Sequence, residues 1–482
     1  MYESPPPIDI GTDRQLFLDE LFLADNRGIR LKVNPPSQDH IPVLVADQPW
    51  EQAIGCYNTV SREDATFRMW YDVMSEAEGR TRRFLCYAES SDGCCWHKPG
   101  LGVIPCGGDA PNNIVAPVSA QASQQGGSVF RDEHGSAEHR YKLWTKYQAS
   151  DADQQEGIGT GLWAMTSPDG IRWQLLRDGY PLKAGAAADT QSICFWDEDL
   201  QRYVGFVRIK EFPAGRQRTC SVGVTTSTDF IHWTQAVQIH AADDRDENAP
   251  VPGGAPQWRP PMDYYVPGGM KIPGVPNAYV ILPNAYYHWR EDAFPSTMDI
   301  RLATSRNLKT WWQPTEREPF LRLGPDGSAA AGMLFANPGL IPAGDELWLY
   351  YAGVGSDHRG QQGDRSHGGI FRACLRRDGF VSADAAYAGG EFTTPLLTFA
   401  GTRLELNMDG SAGGWLQAEI LTPEGQPVAG YSLSECDVIR GNAVRKPVTW
   451  KERQEVTGLA GQPVRLRFVM RSMKLYAFQF PG

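Results

Sequence analysis

What the sequence lacks excludes several classes of protein. No apolar run is long enough to cross a bilayer, and the first residues show neither the basic region nor the apolar stretch of a secretory leader. We therefore expect no membrane partner and a cytoplasmic protein as given, or a secreted or periplasmic one if a leader was removed. Acidic and basic residues are mixed along a chain of net charge −11, so no basic patch indicates a nucleic-acid partner.

Recognisable chemical motifs are also scarce. The nine cysteines form no paired CxxC motifs, so we expect reduced, buried thiols rather than a structural zinc site. No glycine-rich phosphate loop follows a strand, and no nucleophile elbow is present. We expect no metal and no other cofactor; a calcium ion held by Asp and Asn oxygens is conceivable, but no loop motif supports it.

One phrase recurs along the chain. It is present at residues 86–96 (CYAESSDGCCW), 163–173 (WAMTSPDGIRW), 223–233 (GVTTSTDFIHW) and 302–312 (LATSRNLKTWW), with a weaker copy at 370–380 (IFRACLRRDGF). Each copy reads as a strand, a Ser/Asp/Gly turn and an aromatic residue that opens the next strand. Another hairpin pattern precedes each copy, so the unit is four strands in roughly 60–80 residues, the period of a β-propeller blade.

The pattern changes near residue 385. The text beyond it, for example PVRLRFVMRSMKLYAFQF at 463–480, alternates strictly between apolar and polar residues, which is typical of an antiparallel sandwich. We therefore predict an all-β chain with a five-bladed β-propeller over 41–385 as the catalytic domain and a C-terminal β-sandwich over 386–482. Residues 1–40 are expected to form a lead-in that packs on the outside of the propeller.

The blade pattern also predicts where a functional site lies. In each blade, the loop before the first strand and the loop between the second and third strands open on the central funnel. These loops are rich in acids, tryptophan and histidine, as in DQPWE (47–51), YDVMSE (71–76), ADTQ (188–191), RIKE (208–211), DENAP (246–250), QWR (257–259), YHWRED (287–292) and SDHRG (356–360). Aromatic faces stack on sugar rings, and paired carboxylates cleave glycosidic bonds. We therefore predict a carbohydrate partner and a glycosidase.

The stretch DTQSICFWDEDLQRYVGFVR places Asp189 at the head of one strand and Arg208 at the tail of the next. Both ends of this hairpin are expected at the funnel. An ion pair with Arg208 would keep Asp189 ionised, which suits a nucleophile, a base or a charge stabiliser. The alternative is that Asp189 only caps the start of the strand through backbone amides.

The other candidates come from the same loops. For the general acid we consider Glu247, Glu51 and Glu211, with a pKa raised by burial among other carboxylates. Glu51 could instead decorate the rim, and Glu247 lies in an acidic run of the kind that usually forms a solvated loop. Substrate contacts are expected from Trp50, Asp72, Asn113, Arg208, Arg259, His288 and Trp289, although Asn113 is also a natural turn residue.

The blade pattern with a trailing sandwich resembles the five-bladed glycosidases of the arabinanase/xylosidase and invertase/fructanase families. The segments DIGTDRQLFLDE, DTQ…FWD…YVGFVR and LYAFQF are also similar to a group of bacterial proteins described as family-32-like glycosidases. The resemblance implies three funnel acids, one in the first blade, one in the second or third, and a proton donor about one blade later. Glu51 (or Asp47), Asp189 and Glu247 occupy the matching positions.

Two other functions fit the same pattern. A carbohydrate-binding propeller without catalysis would bind glycans and release no sugar. A phosphate-dependent glycoside phosphorylase would need a basic cluster in the funnel, for which Arg208, Arg259 and Arg365 are the candidates.

Overall fold

Strand is the dominant conformation of the polypeptide. The computed structural model describes residues 6–77, 80–106, 111–117, 121–177, 189–211, 219–249, 261–289, 296–358 and 368–482. The α-helices in these ranges are short, α1 (Asp151–Gln155) and α2 (Asp244–Glu247), and 3-10 turns lie at Glu20–Phe22, Ala137–His139 and Thr457–Leu459. The prediction of a nearly all-β chain is therefore confirmed, as expected for a sequence whose apolar pattern has period two.

The chain begins with five strands that do not pair with one another. They are β1 (Ile8–Gly11), β2 (Gln15–Leu16), β3 (Asp25–Arg27), β4 (Ile29–Val33) and β5 (Ser37–Leu44). Each of them pairs instead with a strand that lies after residue 368.

The next twelve strands form three four-stranded antiparallel sheets. Sheet one is β6 (Ala53–Glu63), β7 (Thr66–Ala77), β8 (Arg80–Ser90) and β9 (Ile114–Ala116); sheet two is β10 (Ser123–Arg131), β11 (Tyr141–Gln148), β12 (Gly161–Ser167) and β13 (Gln174–Leu175); sheet three is β14 (Ile193–Asp197), β15 (Arg202–Glu211), β16 (Thr219–Ser227) and β17 (Val237–His240). Within each sheet every strand pairs with its neighbour along the chain.

The recurring phrase forms the same turn at the end of the third strand. In the first copy the Ser90 hydroxyl accepts from the backbone N–H of Gly93 at 2.9 Å, and Asp92 Oδ1 accepts from the N–H groups of Cys94 and Cys95 at 2.8 Å each. A short polar side chain that binds backbone amides two or three residues ahead stabilises a tight turn. The same bonds recur in the other copies, with Ser167 and Asp169, Ser227 and Asp229, and Ser305 and Asn307 as acceptors.

The fourth sheet is interrupted. Its strands are β18 (Met262–Tyr264), β19 (Gly269–Lys271), β20 (Tyr279–Ile281), β21 (Asn284–Tyr287), β22 (Met298–Ile300) and β23 (Ala303–Ser305). One set pairs β18, β21 and β22, and the other pairs β19, β20 and β23, so three longer strands are each broken once. Pro267 and Pro283 stand at two of the breaks, where proline cannot donate the hydrogen bond that would continue the ladder.

The fifth sheet is completed by the N-terminal part of the chain. The strands β24 (Met333–Ala343), β25 (Glu346–Val354) and β26 (Gly369–Arg376) pair in order, and β5 pairs antiparallel with β26 as the fourth strand. A single parallel bridge between Met298 and Met333 joins this sheet to β22.

The last part of the chain forms two further sheets over one core. Its strands are β27 (Val381–Ala385), β28 (Gly390–Thr393), β29 (Leu397–Phe399), β30 (Glu405–Asp409), β31 (Trp415–Leu421), β32 (Asn442–Pro447), β33 (Arg465–Arg471) and β34 (Met473–Gln479). One sheet has the order β32-β30-β34-β27-β4, with β2 pairing β34, and the other has the order β3-β28-β33-β31. Their buried side chains, among them Phe392, Phe468 and Phe478, form one apolar cluster.

The lead-in segment thus differs from the expectation. Strands β1 to β4 pair with β29, β34, β28 and β27, respectively, and Phe17 and Phe22 are fully buried in the core of the two C-terminal sheets. Leu16 and Leu18, by contrast, pack with apolar residues of the fourth and fifth sheets. The alternating apolar residues of RQLFLDELFL therefore serve both parts of the molecule, because successive side chains of an extended segment point to opposite sides.

The first strands of the five sheets surround a common axis. Strand β6 packs against β10 and β24, β10 packs against β14, and β14 and β24 both pack against β19. Buried polar side chains tie these strands together. Gln191 Nε2 donates to the carbonyls of Asn58 (3.0 Å) and Gly127 (2.7 Å), and the Asn58 N–H donates to Asn337 Oδ1 at 3.2 Å. The central cavity lies at one end of this axis.

Candidate functional site

A cavity of about 420 Å³ opens where the five sheets converge. Its lining comes from the first residues of β6, β10 and β24, the last residues of β7 and β11, the first part of β8, the segment before β14, the residue after β18, and the end of β25 with the loop after it. The residues are Ile54, Gly55, Cys56, Tyr57, Met74, Arg83, Gln125, Lys146, Asp189, Tyr265, Met333, Phe335, Val354 and His358. The volume suits a small ligand such as one or two sugar rings.

Asp189 is the carboxylate on this wall, and two cations hold it. Its Oδ1 accepts from Lys210 Nζ at 2.8 Å and from the guanidinium of Arg208. The Arg208 side chain is fully buried, whereas that of Asp189 is 38% exposed to the cavity. Burial acts to raise the pKa of Asp189, but the charges of Arg208 and Lys210 outweigh it and hold that pKa well below its usual range. Asp189 is therefore an anion under all ordinary conditions.

The backbone around Asp189 is fixed by sheet two. Gln125 Nε2 donates to the Asp189 carbonyl at 3.1 Å. Next to it, Gly126 has a φ of +74°, and a Cβ there would lie 3.0 Å from backbone atoms of Thr190 and Gln191. Only glycine combines this left-handed conformation with such a close approach. The segment that carries Asp189 thus rests directly on the start of β10.

An aromatic wall connects the Asp189 pair to His358. The Arg208 guanidinium lies 4.6 Å from the centre of the Tyr265 ring, a cation–π distance. The Tyr265 hydroxyl lies 3.4 Å from His358 Nε2, and the Tyr286 hydroxyl lies 3.2 Å from Nδ1 of the same histidine. These groups form a continuous polar and aromatic surface against which a sugar ring can stack.

Asp72 lies behind the wall rather than in it. Gly55 separates it from the cavity so closely that a Cβ at Gly55 would come within 2.7 Å of the Asp72 Cβ. The carboxylate is fully buried and accepts from Gln124 Nε2 (2.9 Å) and the Gly126 N–H (2.8 Å). Burial raises the pKa of Asp72 to about 6, although these hydrogen bonds and the charge of Arg83 lower it. Protein groups thus occupy the oxygens that were expected to contact substrate.

Glu51 is the centre of a separate buried network. Its Oε1 accepts from the Tyr71 hydroxyl at 2.7 Å, and its Oε2 lies 2.6 Å from Lys98 Nζ and also accepts from backbone N–H groups. Asn113 donates to the same Tyr71 hydroxyl at 2.7 Å and accepts from Trp50 Nε1 at 2.9 Å. The structure therefore brings Glu51, Trp50 and Asn113 together, but not with Asp189, and none of them is among the cavity residues.

The remaining predicted site residues are dispersed. Glu211 is the exposed last residue of β15. Glu247 is the last residue of α2, but its side chain is outside the described set, and Arg259 and Arg365 lie outside the described residues altogether.

His288 and Trp289 follow β21 and point to other partners. His288 is fully buried, with Nε2 3.3 Å from Asp263 Oδ1. Trp289 stacks on Tyr287 with ring centres 5.8 Å apart. Neither is among the residues that line the described cavity.

Several cavity residues were not among the sequence candidates. They are Tyr57, Arg83, Lys146, Tyr265 and His358. His358 lies within a quoted funnel loop (SDHRG), and Tyr57 lies six residues after the end of another (DQPWE, 47–51). Arg83 lies near the start of β8 and Lys146 near the end of β11. Their positions along these strands, rather than their residue types, could have indicated that they line the cavity.

The described residues contain neither a metal-binding cluster nor a membrane-spanning helix. Across these ranges no group of three or more His, Cys, Asp or Glu side chains is arranged to hold a metal ion. Each helix found there is too short or too polar to span a bilayer.

No protein-family model matches the chain, and no curated protein matches it. Solved structures with a similar layout include an N-acetylgalactosamine deacetylase from F. plautii in complex with blood group B trisaccharide, which is 15% identical, with 73% of this chain and 96% of that chain covered at a TM-score of 0.46. A glycosyl hydrolase from Bacteroides ovatus is 13% identical (76% and 94% covered, TM-score 0.42). A GH130 glycoside hydrolase that targets β-1,2 mannosidic linkages in Candida mannan is also 13% identical (77% and 96%, TM-score 0.41).

Proposed function

We propose that this chain is a glycoside hydrolase (EC 3.2.1.-) that acts at the central cavity. In this proposal residues 37–376 (β5 to β26) form a five-bladed β-propeller, and residues 381–482 form a C-terminal β-sandwich joined by strands β1 to β4. Three regular four-stranded sheets, one interrupted sheet and one sheet completed by β5 support the count of five. Closure of the last blade by an N-terminal strand is a common way to hold a propeller ring together.

The observation that carries the proposal is the state of Asp189. It is a permanently ionised carboxylate on the wall of a sugar-sized cavity, with Tyr265 and His358 beside it. An anion in this place stabilises the positive charge that develops on the sugar during glycosidic cleavage, or attacks it directly. Because Arg208 and Lys210 keep its pKa low, Asp189 serves as nucleophile or charge stabiliser and not as the proton donor.

For the proton donor we propose Glu247, with Glu211 as the alternative. Both belong to segments that enter or leave the funnel in the blade interpretation. Glu51 is the weakest of the three candidates, because Tyr71, Lys98 and backbone N–H groups already occupy both of its oxygens. A retaining enzyme would hold the two carboxyl groups about 5–5.5 Å apart and an inverting one about 6.5–9.5 Å apart.

The first experiment is a screen of aryl-glycosides and oligosaccharides for sugar release by the wild-type protein. On any substrate found, Asp189→Asn is expected to lower kcat by roughly 10³-fold or more. Asp169→Asn is the matched control, since Asp169 is an acidic turn residue in the repeated Ser/Asp turn after β12. Equal activity of Asp189→Asn and the wild-type protein would remove Asp189 from the mechanism.

The same variants separate the candidates for the proton donor. Glu247→Gln, Glu211→Gln and Glu51→Gln are compared on two aryl-glycosides that differ in leaving-group pKa. Loss of the proton donor should slow the poor leaving group far more than the good one. The variant that shows this selective loss identifies the acid, and an equal loss on both substrates argues against it.

A second candidate function is carbohydrate binding without catalysis. One observation favours it: among the described residues Asp189 is the only carboxylate that lines the cavity, whereas hydrolysis by the usual route needs two. This function predicts saturable glycan binding with no release of sugar, under conditions in which the same glycan is cleaved by a known glycosidase.

A further inference from the structure

Two cations on the cavity wall have no anionic partner among the residues that the structure describes. Arg83 at the start of β8 and Lys146 near the end of β11 are half-buried cavity residues. Throughout the described part of the chain, no side chain or backbone group forms a hydrogen bond or ion pair with the Arg83 guanidinium or the Lys146 ammonium. Charged groups that are partly removed from water are normally paired. An anionic ligand in the cavity would therefore supply the partner that these two charges lack among the described residues.

The carboxylates nearby do not balance them. Asp189 already binds Arg208 and Lys210, and Asp72 lies behind Gly55 with both oxygens hydrogen-bonded to other groups. Even with Asp72 counted as ionised, four cations at the described wall and behind it (Arg83, Lys146, Arg208 and Lys210) face two carboxylates. The positive excess belongs to the cavity, although the net charge of the whole chain is −11.

We propose that Arg83 and Lys146 bind an oxyanion within the cavity. A guanidinium offers parallel N–H donors to a carboxylate, sulfate or phosphate, and an ammonium adds a compact point charge. This inference rests on the proposed glycosidase function and deepens it: what the cavity takes in includes an oxyanion. The oxyanion can be a substituent of the sugar itself or a free inorganic phosphate bound beside a neutral sugar.

The rest of the lining fits such a ligand. Tyr57, Tyr265 and Phe335 supply the aromatic surface for a sugar ring, and the cavity volume of about 420 Å³ exceeds the need of a lone oxyanion. Asp189 would repel a second anion placed next to it, but Arg208 and Lys210 neutralise that field at short range. In this arrangement Asp189 faces the reacting carbon of the sugar, and Arg83 and Lys146 bind the oxyanion.

The experiment measures binding to the full-length protein by calorimetry, with matched neutral and acidic probes. The pairs are glucose and glucuronate, galactose and galacturonate, and mannose with its 6-phosphate and 6-sulfate; inorganic phosphate is titrated alone and with each neutral sugar. At least one acidic probe should bind about tenfold or more tightly than its neutral partner. Arg83→Gln and Lys146→Met should each abolish that preference.

Two surface variants serve as matched controls. Arg172→Gln and Lys451→Met remove side chains that are 74% and 73% exposed and should leave the preference intact. If free phosphate binds with the same dependence on Arg83 and Lys146, and acidic sugars bind no better than neutral ones, the oxyanion site stands with phosphate as its ligand. Equal affinity for acidic, neutral and phosphate-supplemented probes, or a preference that survives Arg83→Gln and Lys146→Met together, overturns the inference.

Failure of this inference and failure of the glycosidase proposal give different results. If acidic probes or inorganic phosphate bind through Arg83 and Lys146 but no acidic or neutral glycoside is cleaved, the oxyanion site holds and the hydrolase proposal fails. If glycosides are cleaved with full dependence on Asp189, and neither acidic probes nor inorganic phosphate bind through Arg83 and Lys146, the hydrolase proposal holds and the oxyanion site fails.

Discussion

The contact between Asp189 and Arg208 can be weighed by a double-mutant cycle. The side chain of Arg208 is fully buried, so Asp189→Asn leaves a positive charge in the protein interior with one fewer counter-charge. Loss of one partner of a fully buried pair costs about 3–5 kcal/mol, and exposed pairs contribute about 0–1 kcal/mol. Because the Asp189 side chain is 38% exposed, we expect a coupling free energy between these limits, about 2 kcal/mol.

The cycle compares Asp189→Asn, Arg208→Met and the double variant by urea unfolding at pH 7. A second cycle on Asp169 and Arg172 is the control, since these side chains approach to 2.7 Å but are 33% and 74% exposed. Its coupling should not exceed about 0.5 kcal/mol and should fade in high salt, whereas the Asp189–Arg208 coupling should persist. Equal couplings in the two cycles would refute the claim that burial makes this pair strong.

Three further predictions follow from the described contacts. The pKa of Asp72 is about 6 in the folded protein against 3.8 in the unfolded chain. The folded carboxyl therefore keeps its proton more strongly, and its contribution to stability falls as pH rises from about 4 to about 6. Relative to Asp72→Asn, the unfolding free energy of the wild-type protein should drop by on the order of 3 kcal/mol across that window. Gly126→Ala should cost more than 2 kcal/mol, and Gly157→Ala, with a similar φ of +82° but no atom within 4 Å, about 1–2 kcal/mol. Glu51→Gln should cost about 2–4 kcal/mol in unfolding free energy, and the exposed Glu211→Gln less than about 0.5 kcal/mol.

Each of these has a clear contrary result. A pH-independent difference between the wild-type protein and Asp72→Asn would mean that Asp72 has an ordinary pKa when folded. Equal losses for the two glycine variants would show that the approach of Thr190 and Gln191 to Gly126 is unimportant. A stable Glu51→Gln variant with strongly reduced turnover would place Glu51 ahead of Glu247 and Glu211 as the candidate proton donor.

The local structure could be read from the sequence where short-range chemistry determines it. The Ser/Asp turns after the third strands are set by side chains that bind amides two or three residues ahead, and four copies of the phrase form them. The hairpin from Asp189 to Arg208 was likewise predictable, because strand alternation and its polar turn fix which residues meet at the open end. The acid and the base do form the expected ion pair.

What the sequence could not provide was pairing between distant segments. Nothing near residues 8–33 indicates that these strands join sheets formed after residue 380, since an unpaired edge accepts any strand of suitable pattern. The ion pair of Glu51 could not be predicted for the same reason, because its partner Lys98 lies on a remote loop. Arg83 and Lys146 escaped notice because a lone cation on a strand usually points to solvent, and only the convergence of five sheets turns these two inward.

The pairing of β5 with β26 has a consequence for the order of folding. Leu44 and Ile370 are neighbours in the finished sheet, so the fifth sheet cannot be completed until nearly the whole central region has been synthesised. Strands β1 to β4 can pair only later, because their partner strands lie between Val381 and Gln479. The N-terminal strands β1 to β5 thus find their partners only after most of the chain has been made, and they connect the fifth sheet to the C-terminal sheets. A destabilising substitution in that segment should therefore weaken the fifth sheet and the C-terminal sheets together.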